Sequence, residues 1–184
     1  MWAMSLTGDE IDVVEFVQAD HRTIRALFAT IGAAAPQDRA ATWPDLLHSL
    51  AVHEVAEELV VFPALGVVEQ GAPSVEARLA EQREAAQLLK SMEDMDPATE
   101  TFAVALGELE AAVLAHAAAE EREILPAIVR FDDALDRTSL GTRFQEAKLR
   151  APTRPHPNAP HTPPGNVLGG PVLSFVDRVR DHLS

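Results

Sequence analysis

One short segment occurs twice in the chain, and this repeat constrains the fold more than any other feature. Residues 53–58, followed by 62–65, match residues 116–121, followed by 125–128, with one histidine, two glutamates, a proline and two alanines at the same offsets. Positions i and i+4 lie on one face of a helix, so each copy directs an imidazole and a carboxylate the same way. Two such pairs that face each other predict a site for transition-metal ions, with two ions as the preferred number.

Apolar residues recur at helical spacing along most of the chain, and strand-like alternation is absent. Four stretches show the pattern: residues 9–34, 42–68, 74–92 and 96–131. Thr42, Ser74 and Asp96 are the expected N-caps of the last three. Four amphipathic helices with short connections predict an all-α fold, an antiparallel up-down four-helix bundle.

The predicted bundle occupies residues 9–131, after an N-terminal tail of residues 1–8. A polar extension follows at residues 132–150, and its sequence is compatible with one or two short helices. Residues 151–184 then form a Pro-rich C-terminal extension, in which an extended linker leads to a short amphipathic helix at 172–183. Pro63 and Pro126 lie inside helical patterns, and we expect any kink they cause to lie beyond the paired glutamates.

Composition excludes several classes of protein. The net charge of −14 disfavours binding to nucleic acid or to an anionic membrane. No continuous apolar run approaches the length of a membrane span, and no signal peptide is visible, so we expect a cytoplasmic protein. The chain has no cysteine and no tyrosine, which excludes thiolate metal sites, disulfides and tyrosine ligands. Any metal ion must therefore be held by histidine, carboxylate, amide or water.

The first helix of each helical pair is also expected to direct a residue at the site. In the first pair that residue is His21, which shares its helical face with Val14, Val17, Ile24 and Phe28. In the second pair the equivalent position holds Gln82. The candidate metal ligands are therefore His21, His53, Glu57, Gln82, His116 and Glu120.

The order and spacing of these residues, with Pro-Ala after each second helix, resemble the hemerythrin-like HHE cation-binding family over residues 9–131. The resemblance implies a hemerythrin four-helix bundle that holds a non-haem di-iron pair as cofactor. It further implies that Glu57 and Glu120 bridge the two irons. His21 and His53 would then bind one iron, and His116 the other.

Gln82 departs from the family pattern, which has a histidine at this position. Three arrangements are open: Gln82 coordinates through its amide oxygen, Glu81 turns inward, or water fills the position. In each of them the second iron site is weaker and more open than the first. The neighbouring carboxylates have weaker claims as ligands, because the repeat places Ala117 opposite Glu54, and Glu58 and Glu121 point away from their own histidines.

The leading functional hypothesis is a di-iron protein that binds O2 or a related small oxidant for sensing, carriage or iron handling. The alternative is a di-iron enzyme of stress defence that decomposes peroxide or reduces NO at an open position of the second iron. Whether the chain is an enzyme is left undecided by the sequence. A protein partner bound through the C-terminal tail is compatible with both hypotheses, and a purely structural bundle is the remaining reading.

Overall fold

The computed structural model describes residues 12–68 and 73–151, and within these residues the chain is helical without a strand. The N-terminal tail, nearly all of the Pro-rich linker and the predicted helix at 172–183 lie outside the described residues. In chain order the elements are α1 (Val13–Ala33), a 3-10 helix (Pro36–Ala41), α2 (Trp43–Ala56), a π-helical turn (Glu57–Val61), α3 (Phe62–Val68), α4 (Pro73–Ser91), α5 (Glu100–Arg130), α6 (Asp132–Leu135) and α7 (Arg137–Arg150).

The predicted all-α four-helix bundle is confirmed. Its four long members are α1, the uninterrupted run from α2 through the π-helical turn to α3, then α4, and α5. Helices α1, α4 and α5 each bury one stripe of residues, as an antiparallel bundle requires. In α1 this stripe consists of Val13, Val17, His21, Ile24, Phe28 and Ile31. Helix α2 is instead buried on all sides from Leu50 to Ala56.

Some helix ends differ from the prediction. Asp12 caps α1, accepting hydrogen bonds from two first-turn amides at 2.8 and 3.1 Å. Helix α5 begins after Thr99, whose side chain is its N-cap, while Asp96 caps the preceding turn instead. Thr42 is the N-cap residue of α2, as predicted, but its side chain makes no capping hydrogen bond. Ser74 lies inside α4, which begins at Pro73.

Two apolar clusters fill the bundle, one towards each end. One cluster includes Phe28, Leu46 and Phe102, and the other includes Val17, Phe62 and Ile124. The buried histidines and glutamates lie between the two clusters in sequence along α1, α2 and α5. The candidate site is therefore a polar layer enclosed at both ends by apolar side chains.

The two prolines of the repeat act differently in the two copies. Pro126 is accommodated within α5, which stays α-helical through it. Before Pro63 the chain forms the π-helical turn, in which the Phe62 amide donates to the Glu57 carbonyl five residues earlier. Proline lacks an N–H and crowds the preceding turn, and a wider turn relieves this. The expectation that any distortion lies beyond the glutamates is wrong for the first copy, because the π-helical turn begins at Glu57.

By length and composition alone, helix α5 meets the criteria for a membrane-spanning helix. Its 31 residues and a mean hydropathy of 1.5 in an 18-residue window make it long and apolar enough to cross a membrane. However, 44% of that window is buried within the fold. The core helix of a helical bundle passes the same test, so α5 is weak support for a membrane span.

The segment predicted as a polar extension is part of the folded body. Helix α7 packs against α1, α2 and the π-helical turn. Leu140 and Phe144, one helical turn apart, are buried in the same apolar cluster as Val17 and Phe62. Arg137, at the start of α7, forms an ion pair with the α1 cap Asp12 at 3.1 Å. The chain thus adds a fifth helix along the side of the bundle.

Candidate metal centre

The structure brings all six predicted site residues together in the polar layer. His21, His53, Glu57, Gln82, His116 and Glu120 are each no more than 5% exposed. They come from the four long members of the bundle: α1, the run through α2 and the π-helical turn, α4 and α5. Their roles as metal ligands stay predictions, which the geometry below supports.

Two groups of potential ligand atoms are close enough to hold a cation. The His53 cluster consists of His21, His53, Glu57 and Glu120, and each residue offers one atom within 4.8 Å of all the others. The His116 cluster consists of Glu54, Glu57 and His116, under the same distance limit. Both clusters are fully buried and share Glu57.

Each paired glutamate reaches into both halves of the layer. Glu57 places Oε1 3.4 Å from Nε2 of His53, and its Oε2 accepts from the Gln82 amide at 3.2 Å. Glu120 places Oε2 3.3 Å from Nε2 of His21 and Oε1 3.4 Å from Nε2 of His116. Carboxylates with one oxygen on each side are suited to bridge two cations.

At position 82 the structure bears on two of the three open arrangements. Gln82 lies in the site, donating through Nε2 to Glu57, while its Oε1 has no hydrogen-bond partner. Glu81 does not turn inward. Its Oε2 lies 2.9 Å from Nδ1 of His116, the ring nitrogen opposite the one that faces Glu120, and its Oε1 accepts from Arg78.

Glu54 is a site residue that the sequence analysis undervalued. It is 4% exposed, belongs to the His116 cluster, and has a carboxylate oxygen without a hydrogen bond. It was discounted because its counterpart in the repeat is Ala117. A usable signal was present, because residues 54 and 57 are three apart and therefore neighbours on one helical face. The carboxylate of Glu54 lies within hydrogen-bond reach of the Gln82 side chain.

Each histidine of the layer is held on its outer nitrogen by a carboxylate. Nδ1 of His53 lies 3.3 Å from Asp20. Nδ1 of His21 lies 2.9 Å from Glu121, in the same arrangement as Glu81 with His116. A carboxylate acceptor assigns the proton to Nδ1 and leaves the Nε2 lone pair directed into the layer, as metal-binding histidines require. Glu121 points away from His116, as expected, but towards the histidine of the neighbouring helix.

Each of these carboxylates also accepts a hydrogen bond from a cationic side chain. Arg25 donates to Glu121 at 3.0 Å, and Arg78 donates to Glu81 at 2.6 Å. Lys148, from α7, donates to Asp20. Every histidine of the layer therefore begins a chain that runs from imidazole to carboxylate to cation. The cations Arg25 and Lys148 are partly exposed, whereas Arg78 is buried.

Burial sets the protonation of the layer. Burial lowers the pKa of His53 more than its hydrogen bond to Asp20 raises it, which favours the neutral imidazole. Burial and the negative charge of Glu120 raise the pKa values of Glu54 and Glu57 well above their ordinary 4.5. For Glu120 burial is outweighed by His116, His21 and His53, which lower its pKa. Without a cation, the layer therefore retains protons on buried carboxylates.

The donor atoms of the layer fit a bound cation. Six buried atoms in it have no hydrogen-bond partner among the described residues: Nε2 of His21 and of His116, Oε2 of Glu54, Oε1 of Gln82 and both carboxylate oxygens of Glu120. A buried polar atom without a partner costs about 1–3 kcal/mol. Six such atoms in one layer are accounted for if cations are their partners, since a cation accepts lone pairs from nitrogen and oxygen alike.

A small cavity adjoins this layer. It has a volume of about 10 Å³, and its polar side is formed by His21, His53, Glu54 and His116. Its apolar side includes Leu50 and Val113. A cavity of this volume accommodates about one water-sized molecule. The layer thus offers donor atoms for cations and, beside them, room for about one water-sized molecule.

Comparison with known proteins identifies relatives of the chain. The family model described as the Hemerythrin HHE cation binding domain matches residues 12–128. An uncharacterized hemerythrin-like protein from Schizosaccharomyces pombe is 28% identical over 167 residues, covering 89% of this chain and 82% of that protein. The crystal structure of a hemerythrin HHE cation binding domain-containing protein from Mycobacterium kansasii has a TM-score of 0.64 at 21% identity, covering 75% of this chain and 88% of that one. The match to this structure shows a shared fold.

Proposed function

Because the chain belongs to the hemerythrin HHE cation-binding family, we propose that it is a non-haem di-iron protein that binds O2 or a related small oxidant. Its role would be sensing, carriage or iron handling. The observation that carries this proposal is the buried layer of nitrogen and oxygen donors without hydrogen-bond partners. His21, His53, Glu57 and Glu120 would hold one ion, and His116, Glu54 and Gln82, with the two bridging glutamates, the other.

The donor set favours iron over softer metal ions. The chain has no cysteine, so no thiolate is available to select zinc or copper. Mixed imidazole and carboxylate donors are typical of non-haem iron sites in helical bundles. Iron held here would supply reversible electron transfer to the small ligand. The protein's own residues would fix the donors, and the surrounding apolar clusters would keep bulk water away.

The cavity supports a ligand of diatomic size. Its volume of about 10 Å³ is too small for an organic substrate, and apolar side chains such as Leu50 and Val113 line the side away from the donors. O2 and NO are small and weakly polar, and they match this space. Peroxide is slightly larger and more polar, and Glu54 and the histidines offer it polar contacts.

One observation favours the enzymatic alternative, in which the same centre decomposes peroxide or reduces NO. The His116 cluster contains two carboxylates and a single imidazole. Hard, anionic donors stabilise a higher oxidation state of iron, because they neutralise its greater charge. An ion held this way gives up electrons more readily, which suits net reduction of a ligand such as NO or peroxide better than reversible binding.

Anaerobic loading of the full chain with ferrous iron, followed by exposure to air, tests the proposal. We expect about two irons per chain, one for each cluster, and a ligand-to-metal charge-transfer absorption that develops on oxidation. His53→Ala and His116→Ala should each lose about half of the iron. A colourless protein that retains no stoichiometric iron would refute the proposal. Turnover of peroxide that is lost in both variants would favour the enzyme.

A further inference from the structure

We propose that α7 is a functional part of the metal centre, in which Lys148 and Phe144 position the His53 imidazole. This inference rests on the proposed function, because it concerns how one ligand of the metal pair is held. The family model ends at residue 128, whereas α7 spans Arg137–Arg150. The helix therefore contributes to the centre from outside the part of the chain that carries the family pattern.

Lys148 fixes the carboxylate that holds His53. One oxygen of Asp20 accepts from Lys148, and the other lies 3.3 Å from Nδ1 of His53. The Asp20 side chain is 16% exposed, about half the exposure of Glu121 and Glu81 in the equivalent contacts. Without Lys148, Asp20 would be free to turn towards solvent, and the His53 ring would lose the contact that sets its orientation.

Phe144 closes the outer side of the same imidazole. Its ring is fully buried and meets the His53 ring edge-on, with centroids 6.3 Å apart and planes at 72°. The Phe144 ring also stacks on the ring of Phe16 in α1, with centroids 6.4 Å apart. The Lys148 ammonium lies 5.9 Å from the centre of the Phe144 ring. The aromatic ring and the cation therefore form one wall beside His53.

Helix α7 is fixed to the bundle at both of its ends. At the start, Arg137 pairs with the α1 cap Asp12 at 3.1 Å. Just after the end, Ala151 packs in a small buried cluster with Val52 and Val55 of α2. A helix fixed at both ends can hold Lys148 in place, so the contact with Asp20 is a constrained one and differs from an ordinary surface ion pair.

The other two histidines provide an internal comparison. The cations behind them, Arg25 and Arg78, belong to α1 and α4, within the four-helix bundle itself. Only for His53, among the histidines of the described layer, does the cation come from α7. Loosening α7 should therefore affect the His53 cluster and leave the His116 cluster nearly unchanged.

Release of bound metal to a chelator, measured on the full-length protein, tests the inference. Loss of a carboxylate partner behind a histidine costs about 10–100-fold in affinity. Because Lys148 acts one contact further out, we expect Lys148→Met to accelerate release from the His53 cluster by roughly three- to tenfold. Removing a nearby positive charge would by itself slow the release of a cation, so acceleration reports lost positioning. Release that is unchanged or slower overturns the inference.

Three further variants test whether the change in release rate is specific to Lys148 and to the His53 cluster. Lys148→Arg keeps the cation and should restore slow release. Arg78→Met should accelerate release from the His116 cluster instead, because Arg78 contacts Glu81. Lys90→Met removes an exposed lysine that pairs with Glu93, and it should leave both rates unchanged. Equal acceleration by Lys148→Met and Lys90→Met would overturn the inference.

A second measurement needs no metal. Proton–nitrogen correlation spectra of the metal-free protein should show His53 protonated at Nδ1 in the wild type and in Lys148→Arg. In Lys148→Met they should show an exchanging mixture of tautomers. An unchanged His53 signal would overturn the inference even if the protein binds iron as proposed. If the wild type retains no iron, the proposed function fails, and the tautomer of His53 still decides whether Lys148 positions it.

Discussion

The His53 cluster and the His116 cluster arise from the same repeated segment, yet they have different donors. The His53 cluster has two imidazoles, His21 and His53, with the carboxylates Glu57 and Glu120, and of these residues only Glu57 also belongs to the His116 cluster. The His116 cluster has one imidazole and the carboxylates Glu54 and Glu57, and the Gln82 side chain lies beside both carboxylates. The His116 cluster thus contains one imidazole fewer than the His53 cluster.

The difference changes what is expected of the second ion. From Gln82 alone we expected a weak, open site. With Glu54 present, we instead expect an ion held by harder, more anionic donors and therefore biased towards a higher oxidation state. Both clusters would then bind an ion, and the two ions would differ mainly in their preferred oxidation state.

The largest effect on metal affinity is expected from substitution of the residue that both clusters share. Glu57 is the residue common to both, so Glu57→Ala should weaken both ions, by about a hundredfold or more in affinity. Titration of the metal-free protein with ferrous or cobaltous ion measures this. Glu76→Ala, an exposed glutamate on α4, is the matched control and should titrate like the wild type. Loss of one ion alone would show that Glu57 does not bridge.

Glu54→Gln should separate the two clusters. Removing this carboxylate should weaken binding in the His116 cluster by roughly ten- to hundredfold and leave the His53 cluster nearly unchanged. The same titration, followed by metal analysis after gel filtration, should then show one retained ion instead of two. If Glu54→Gln retains both ions with wild-type affinity, Glu54 is not a ligand and the comparison between the clusters fails.

Gln82→His should make the two clusters more alike. An imidazole at this position would add a nitrogen donor to the His116 cluster and raise its affinity by roughly tenfold. It should also bring the reduction potentials of the two ions closer together, which electrochemistry on the loaded protein would measure. A fall in affinity would mean that the Gln82 amide, which donates to Glu57, is needed where it is.

The smallest effect is expected from protons in the metal-free protein. The raised pKa of Glu54 means that the folded state retains a proton that the unfolded chain loses, so its contribution to stability falls as pH rises above about 4.5. Glu54→Gln removes this fall in stability, because an amide side chain does not titrate. The lowered pKa of His53 makes stability rise with pH below about 6.5. This contribution is present in the wild type and in the variant, so it cancels when their stabilities are compared. Thermal unfolding should therefore show the variant gaining stability over the wild type as pH rises, whereas a constant difference would refute the raised pKa.

The sequence was sufficient to predict the bundle and most of the polar layer, because both follow from local spacing. His53 and Glu57, and likewise His116 and Glu120, are i,i+4 pairs, and the apolar stripes identify the faces that meet. Glu54 was undervalued because strict symmetry between the copies was assumed, although the copies differ at this position. The π-helical turn was missed because the two prolines looked equivalent, while only Pro63 follows such a turn.

Contacts between helices that are distant in sequence were the harder part. Glu121 points away from His116 on its own helix and for that reason reaches His21 on the neighbouring one. Lys148 lies in a segment whose few apolar residues gave only a weak helical pattern, and nothing local links it to Asp20. Such contacts depend on how helices pack, which spacing along one helix does not determine.

Mössbauer spectroscopy of the iron-loaded protein tests most directly whether one buried layer holds two unlike irons. We expect two quadrupole doublets of equal area in the wild type, because the irons would have different numbers of imidazole and carboxylate ligands. Glu54→Gln should lose one of these doublets and keep the other. A single doublet from two equivalent irons, or iron bound at less than one ion per chain, would contradict the assignment of the two clusters.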